Sequence, residues 1–381
     1  MNKNADQVRQ FTVSEDDEGV RLDRWFKRNL PQIGFATVSR WARTGQIRVD
    51  GKRAKPDDRL REGQVLRVPP GGEQQGGRKP KPRRELKPEE IAEAKAMVIR
   101  ETKTAIVFNK PPGLATQGGS KTNKHVDGLL DAFVEDEETS RPRLVHRLDK
   151  DTSGVLLVAR TPGSAASYSK RFSGRSARKV YWALIVGVPD VKEGTIDAAL
   201  AKQPGTGGEK MHVDLENGQP AKTRYRVVDT VGKRAAWVEL EPLTGRTHQL
   251  RVHMDAIGHP IVGDGKYGGQ DAFLTGSISR KMHLHARRLI INEPGGGKLD
   301  VTADLPEHFA ASVEQLGFDL SLSDAKPLRE DNTERTKAEK KQAAKAHAKQ
   351  YRKSQRGPRR GRGDAAKAGK SGKSAPKGRR K

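Results

Sequence analysis

Polar and charged side chains crowd the start of the stretch Leu144–Arg160, LVHRLDKDTSGVLLVAR, just before an apolar run. The run Gly154–Ala159 predicts a strand, so His146, Arg147 and Asp149 fall in the loop that precedes it. Charged groups beside a buried strand are costly to desolvate unless they pair with one another or act on a substrate. The alternative is an ordinary loop, because turns favour Asp, Thr and Ser in any case.

The sequence lacks the residue types and motifs that several common catalytic chemistries require. The chain has 381 residues and no cysteine, which excludes disulfides, Cys-type zinc sites, iron–sulfur clusters and thiol catalysis, and fits a reducing compartment. No Walker A sequence, credible dinucleotide fingerprint or G-x-S-x-G elbow occurs. Five histidines could in principle form a zinc site, although no carboxylate-plus-histidine spacing of a metalloenzyme accompanies them: His248, His253, His259, His283 and His285. We expect neither a cofactor nor a metal.

The charge of the chain favours a polyanionic partner. The formal net charge is +26 with a pI of about 10.2, and a chain this basic is expected to bind nucleic acid. From Lys326 to Lys381 there are 21 Lys and Arg against 5 Asp and Glu, a net +16 that leaves +10 for the rest. Because the body is basic as well as the tail, we expect a specific nucleic-acid surface in addition to nonspecific affinity.

Composition divides the chain into four regions. Residues 20–70 predict a small folded module, 71–95 a flexible linker rich in Gly, Pro and Arg, 96–320 a catalytic domain, and 324–381 a disordered basic tail. The first residues hold no apolar stretch typical of a signal peptide, and no uncharged run is long enough to span a bilayer. We therefore expect a soluble, cytoplasmic protein.

The small module shows the pattern of two helices followed by short strands. Apolar spacing predicts one helix from Leu22 and a second that ends at Gly45, then strands at Ile47–Val49 and Gly63–Val68. Asp50-Gly51 predicts a tight turn between strands. Basic side chains interleave with these elements and are candidates for RNA binding, the alternative being a solvated basic face: Arg21, Arg24, Arg40, Arg43, Arg48 and Lys52.

The large segment holds nearly all of the β-type patterning and predicts an α+β domain on a mostly antiparallel mixed sheet. Strands are expected at Ala105–Phe108, Gly154–Ala159, Val180–Val186, Thr223–Val228, Trp237–Leu240 and Leu284–Ile291, and helices at Ser164–Phe172, Thr247–Ile257 and about Pro306–Leu316. Strand alternation puts Tyr181, Ala183 and Ile185 on one face of their strand.

Two resemblances follow from short motifs. The small module resembles an S4 RNA-binding domain in RLDRW (Arg21–Trp25), SRWARTGQIRVDGK (Ser39–Lys52) and EGQVLRV (Glu62–Val68). HRLDKDTSG is similar to the signature of the RluA family of pseudouridine synthases. Five further blocks match that family in the right order: NKPPG (109–113), KVYWALIVG (179–187), GRTHQLRVHM (245–254), GHPIVGDGKYG (258–268) and LHA (284–286).

The family resemblance implies that Asp149 is the catalytic carboxylate. Uridine isomerisation breaks the N1–C1′ bond, turns the base and rejoins it through C5. This chemistry needs no redox, energy or group-transfer cofactor but does need a carboxylate, as nucleophile or to stabilise positive charge at C1′. The implied cation that keeps Asp149 ionised is Arg251, whose fork suits two-point binding of a carboxylate; a surface or phosphate-binding arginine is the alternative. Asp151 and Asp264 are interpreted as turn residues.

The resemblance also implies residues that hold the base. Tyr181 is expected to pack against the target base and could relay a proton, although a strand tyrosine is more often a core residue. Leu250 is the implied apolar pocket residue. Reaching a uridine in folded RNA requires flipping it out, and Arg147, with His146 beside it, is implied to hold the flipped nucleotide or fill its vacated place.

These resemblances together imply an RNA pseudouridine synthase with a basic RNA-docking module. TQGGS after NKPPG and the DTSGVLLVAR continuation look most like the RluC branch, which modifies large-subunit (23S) ribosomal RNA; another ribosomal site or transfer RNA stays open. The alternative is a non-catalytic S4-type RNA-binding or ribosome-assembly protein. We expect a monomer, since nothing suggests an exposed apolar seam.

Overall fold

The computed structural model describes residues 8–71, 85–119, 122, 124–136, 139–174, 176–203 and 210–328. Much of the predicted linker and nearly all of the predicted basic tail lie outside the described residues. Within the described ranges no helix is long and apolar enough to cross a membrane.

An N-terminal module combines two helices with a small antiparallel sheet. Its elements are β1 (Arg9–Thr12), α1 (Leu22–Asn29), α2 (Phe35–Arg43), β2 (Arg48–Val49), β3 (Lys52–Arg53) and β4 (Val65–Val68), and the strand order is β1-β4-β2-β3. The two predicted helices are confirmed. The module starts earlier than the predicted residue 20, because β1 pairs with the distant β4 and so leaves no local signal.

The predicted turn between β2 and β3 is confirmed by its backbone. Asp50 and Gly51 both have positive φ angles, 49° and 77°, as a type I′ hairpin turn requires. Leu22, Phe26 and Leu66 are fully buried beneath the helices and form the core of the module.

The predicted linker is too long at its C-terminal end. Residues 88–96 form helix α3 (Pro88–Ala96), with Pro88 at its first turn and Ala94 fully buried. Ala94 and Met97 join a core that also contains Phe108. Because this helix is mostly polar and short, apolar periodicity did not reveal it, and only its packing against the large domain explains its stability.

The large domain is α+β, as predicted, with a mixed sheet at its centre. Its elements are β5 (Val98–Glu101), β6 (Ala105–Lys110), α4 (Val126–Leu129), β7 (Arg143–Leu144), β8 (Ser153–Ala159), α5 (Pro162–Ser173), β9 (Arg178–Val186), β10 (Glu193–Asp197), β11 (Leu200–Lys202), β12 (Met211–Val213), β13 (Lys222–Val231), β14 (Ala235–Pro242), α6 (Gln249–Ala256), β15 (Leu284–Asn292), β16 (Lys298–Thr302) and α7 (Glu307–Leu316). The strand order is β10-β13-β14-β9-β15-β8-β6-β5, with β16 on β15 and β7 on β8, and β11 and β12 form a separate hairpin.

The strand β9 divides two apolar cores. Ala183 and Ile185 pack into one core and Trp182 and Leu184 into the other. Tyr181 borders the first of these cores, on the same face as Ala183. The predicted alternation along β9 is therefore confirmed.

Strands β8 and β15 form a parallel pair at the centre of the sheet, and a glycine makes their close approach possible. Gly154 has a φ of +107°, and a Cβ built there would lie 2.3 Å from the carbonyl oxygen of Ala286. No L side chain fits such a position without moving backbone. The glycine of the DTSG sequence thus lets β15 lie against the strand that follows the polar loop.

The folded body extends to Leu328, beyond the predicted start of the tail at residue 324. Ala325 is 1 % exposed and Leu328 is 8 % exposed, and Arg178 donates a 3.2 Å hydrogen bond to the carbonyl of Leu328. Ala325 joins the core that contains Phe309. The prediction that residues 324–328 belong to a disordered tail is therefore wrong, because two small apolar contacts in a basic stretch give too weak a pattern.

Candidate active site

A buried lysine supports the polar loop between β7 and β8. Lys110 is fully buried, and its Nζ donates to the carbonyls of Pro111 (2.9 Å), Leu114 (2.7 Å) and Lys150 (3.0 Å). Burial lowers the pKa of Lys110 to about 7, against the opposing charges of Asp151 and Asp149. The NKPPG segment therefore fixes the backbone on the C-terminal side of Asp149.

Asp149 projects from this loop into a cavity, and its carboxylate is only 18 % exposed. Its Oδ2 lies 3.7 Å from Nη1 of Arg251 and 3.8 Å from Nε2 of His248. Both are ion-pair distances rather than hydrogen bonds. Among the described residues, no donor lies within hydrogen-bond distance of either carboxylate oxygen. The carboxylate thus faces positive charge while its oxygens stay available to a ligand.

Arg251 gives its closest contacts to a different acid. Its Nε and Nη2 donate to the two carboxylate oxygens of Asp264, at 2.7 Å each, and both side chains are buried. Burial alone lowers the pKa of Arg251, but the hydrogen bonds and charge of Asp264, with the charge of Asp149, outweigh it and raise the pKa. The two-point geometry expected for Asp149 is therefore made with Asp264, which sequence reasoning had left as a turn residue.

Tyr181 and Leu250 line the cavity beside Asp149. Tyr181 lies on β9, and burial, followed by the negative charge of Asp149, raises the pKa of its hydroxyl. The phenol is consequently neutral at ordinary pH. Leu250 is 7 % exposed on α6, one residue before Arg251. The structure brings these predicted site residues together around one space.

His146 and Arg147 also line the cavity, with different environments. The ring of His146 stacks on Phe172 at 4.2 Å, and its Nε2 accepts a 2.9 Å hydrogen bond from the amide of Leu157. Burial, with a smaller effect of Lys179, lowers the pKa of His146 to about 3, so the ring is neutral and braces the loop. Arg147 is exposed.

The cavity has a volume of about 550 Å³, within the range of roughly 300–1,000 Å³ that is usual for small-molecule sites.

Three groups at or behind the cavity wall were not assigned to the site from the sequence: Lys179 on β9, His248 before α6, and Asp264. Lys179 stands two residues before Tyr181, and burial lowers its pKa. Its position on the strand face of Tyr181 was the available signal, while His248 shares a motif block with Arg251.

The six candidate RNA-binding residues are all exposed, and they lie on the N-terminal module away from the cavity lining. Arg21 forms an ion pair with Asp23, and Arg48 donates to the carbonyl of Gly51. The module contacts the large domain where the turn Glu15–Asp17 packs on α5. The C-terminal part of α5 lines the cavity through Phe172 and Ser173. The other four candidates are Arg24, Arg40, Arg43 and Lys52.

The histidines that could have formed a zinc site make hydrogen bonds to different partners. His253 bonds Thr223 and the carbonyl of Ala198, and His285 bonds Ser153. Within the described ranges, no group of three or more His, Cys, Asp or Glu side chains is arranged to hold a metal ion.

Similar proteins share this domain. A family model described as RNA pseudouridylate synthase matches residues 104–256. The chain is 32 % identical to the ribosomal large subunit pseudouridine synthase C of Vibrio cholerae over 324 residues, 83 % of this chain and 99 % of that protein. It is 32 % identical to the protein of the same name from Haemophilus influenzae, over 81 % of this chain and 95 % of that protein. Among solved structures, human RNA Pseudouridylate Synthase Domain Containing 4 is 30 % identical, with a TM-score of 0.50 over 60 % of this chain and 97 % of that one.

Proposed function

The chain belongs to the RluA family of RNA pseudouridine synthases, and we propose that it isomerises specific uridines in large-subunit ribosomal RNA with Asp149 as the reacting carboxylate. One observation carries this proposal. Asp149 stands at the wall of a nucleotide-sized cavity, faces Arg251 at 3.7 Å, and accepts no hydrogen bond from the described residues. A carboxylate left without donors beside a cation keeps its oxygens free to act at the sugar.

The substrate class rests on the relatives and on the charge. Relatives that this chain covers over nearly their whole length are named for the large ribosomal subunit. The exposed arginines of the N-terminal module, interpreted as an S4-like domain, provide contacts to phosphates, which position RNA without reading its sequence. A cytoplasmic, monomeric chain acting on ribosomal RNA completes this proposal.

The groups around Asp149 have separate roles in the proposed reaction. The target uridine leaves its stack, at a cost of a few kcal/mol, and enters the cavity with its base against the ring of Tyr181 and the side chain of Leu250. Arg147 at the exposed edge meets the phosphate of the flipped nucleotide. Asp149 then attacks C1′, or stabilises the positive charge there, as the N1–C1′ bond breaks. The freed uracil turns and bonds to C1′ through C5, any Asp149–C1′ bond breaks, and the proton on C5 leaves while N1 gains a proton. Arg251, held by Asp264, keeps a positive charge opposite Asp149 throughout.

The experiment is pseudouridine mapping of cellular RNA by chemical adduct and primer-extension stop. We expect specific uridines of large-subunit RNA to lose the modification in cells that carry Asp149→Asn, while the purified variant binds RNA within about twofold of the wild type. Asp151→Asn is the matched control, because Asp151 is exposed in the same loop, and it should keep the modification. If no site changes with Asp149→Asn, the chain is an RNA-binding or assembly protein instead.

A further inference from the structure

A histidine that the proposed mechanism does not use lies closest to Asp149 after Arg251. Nε2 of His248 is 3.8 Å from Oδ2 of Asp149, the same oxygen that faces Nη1 of Arg251. The two basic groups therefore converge on one carboxylate oxygen. Among the described residues, no hydrogen bond reaches Oδ1, and the shortest contact of each basic group is with Oδ2. The surroundings of Asp149 thus distinguish its two oxygens.

The other ring nitrogen of His248 is engaged by a tyrosine. Nδ1 of His248 lies 2.7 Å from the hydroxyl oxygen of Tyr267, and that oxygen accepts a 3.1 Å hydrogen bond from the amide of Met211. An amide N–H can only donate, so the phenol oxygen acts as acceptor toward Met211, and its own O–H is available to donate to Nδ1. In a neutral imidazole whose Nδ1 accepts, the ring proton is on Nε2. The N–H of His248 then points at Asp149.

The left-handed backbone conformation at His248 indicates that its side chain has a function. His248 precedes α6 with φ 52° and ψ 21°, in the left-handed region. Gly and Asn adopt this conformation at a lower energetic cost than other residues. A position chosen only for helix geometry would favour one of those residues. The same turn places Arg251 on α6 within reach of Asp149.

A closed set of contacts holds these groups together. The guanidinium of Arg251 lies over the ring of Tyr267 at 5.0 Å and is forked onto Asp264. Tyr267 and Asp264 belong to one short loop, GDGKYG (263–268). That loop therefore supports both groups that face the reacting carboxylate, one through an ion pair and the other through a hydroxyl.

We propose that His248 is a positioning residue for Asp149: a neutral imidazole, set in its Nε2–H tautomer by Tyr267, directs that N–H at Oδ2 and leaves Oδ1 as the oxygen that reacts. This rests on the proposed function of Asp149. The N–H tightens onto Oδ2 when substrate fills the cavity. A protonated His248 would instead bind the carboxylate as a full ion pair and lower its reactivity.

The charges around His248 keep it neutral at working pH. Burial lowers the pKa of His248; the charge of Asp149 opposes this, Arg251 and Lys266 add to it, and Asp264 opposes it weakly. Loss of the Tyr267 hydroxyl would free the Nδ1 lone pair to accept a proton. The pKa of His248 should then rise, and the protonated form should appear at higher pH.

Two variants of the full chain test this proposal in single-turnover reactions on large-subunit ribosomal RNA from cells that lack the chain. His248→Asn suits the left-handed backbone, so it should unfold at no lower temperature than the wild type and bind the RNA within about twofold. Its rate should nevertheless fall by about 10²-fold, as expected for a misplaced reacting group. His212→Asn is the matched control, because Nδ1 of His212 has no hydrogen-bond partner among the described residues; it should react at the wild-type rate.

Tyr267→Phe keeps the ring under Arg251 and removes the hydroxyl. Its rate should decline in acid at a higher pH than that of the wild type. Nitrogen NMR of histidine-labelled protein, with His248→Asn to assign the signal, should show the Nε2–H form in the wild type. A wild-type rate for His248→Asn, a loss of its stability that matches its loss of rate, an unshifted acid limb in Tyr267→Phe, or an Nδ1–H signal would each overturn the proposal. If the wild type itself forms no pseudouridine, the proposed function fails, while the NMR signal still decides the tautomer.

Discussion

Arg251 gives both of its 2.7 Å hydrogen bonds to Asp264. Both side chains are buried, so solvent does not compensate either charge if the pair is broken. Arg251 is thereby locked in orientation, and only its remaining Nη1 turns toward Asp149, at 3.7 Å. Asp264, which fixes the arginine, and Asp149, the proposed reacting acid, thus have different environments: Asp264 accepts a hydrogen bond at each oxygen, and Asp149 accepts none from the described residues.

The first prediction concerns Asp264→Asn. Removing one partner of a buried ion pair leaves an uncompensated charge, which costs roughly 3–5 kcal/mol, and the freed Arg251 should turn fully onto Asp149. We expect the free energy of unfolding to fall by about that amount and turnover of the folded protein to fall as well. Chemical denaturation and the single-turnover rate measure the two effects. Asp271→Asn, at an exposed site, is the control, and equal midpoints for the two variants would contradict the prediction.

The second prediction concerns Gly154→Ala. The added Cβ would lie 2.3 Å from the carbonyl oxygen of Ala286, at a φ of +107°, so the parallel pair β8–β15 must separate. We expect a loss of about 3 kcal/mol or more in the free energy of unfolding. Gly245→Ala has open space around its Cβ and an ordinary φ and should be close to neutral. A Gly154→Ala protein as stable as Gly245→Ala would show that the strands are not so close.

The third prediction separates the tail from the folded body. Residues 329–381 carry 20 Lys and Arg against 5 Asp and Glu, and each cation that neutralises a phosphate adds about 0.9 to the slope of log affinity against log salt concentration on a duplex. A chain that ends at Leu328 should bind RNA more weakly, with a flatter salt dependence, and keep its thermal stability. Binding titrations at several salt concentrations measure this.

A second truncation provides the comparison for the tail. A chain that ends at Ser323 also loses Ala325 and Leu328, which are buried, and the hydrogen bond from Arg178 to Leu328. It should melt at a lower temperature than the chain that ends at Leu328. An unchanged salt dependence in both truncated chains would mean that the tail does not contact RNA.

The fourth prediction is a loss of stability in acid. Burial lowers the pKa values of His253, His283 and His285 to about 4, below the value of about 6.5 in the unfolded chain. Their neutral forms fit the fold, so their contribution is complete above pH 6.5 and is lost as pH falls toward 4. At pH 5 each should have lost about 2 kcal/mol of unfolding free energy relative to pH 8.

Denaturation at pH 8 and pH 5 measures this loss. His253→Gln removes one of the titrating histidines and should reduce the difference between the two pH values, whatever its own effect on stability. A wild-type protein equally stable at both pH values would show that these histidines titrate normally.

Local pattern was enough for the strands that carry the site. Alternation and apolar runs predicted β6, β8 and β9, and the two faces of β9 separate the two cores as expected. The short edge strands β10, β11 and β12 and the polar helix α3 were missed. These elements are short and hold few large apolar side chains, so no repeat of apolar side chains records them.

The sequence by itself predicted Asp149 as the reacting acid, the strand that follows its loop and the groups that accompany it, because these are properties of contiguous motifs. Only the tertiary structure decided how those groups are paired. Arg251 is bound to Asp264 rather than to Asp149, His248 is joined to Tyr267, and Lys110 supports the carbonyl of Lys150. Spacing along a chain does not fix such pairs, since each depends on angles and distances of a few ångströms that the packed sheet and loops set together.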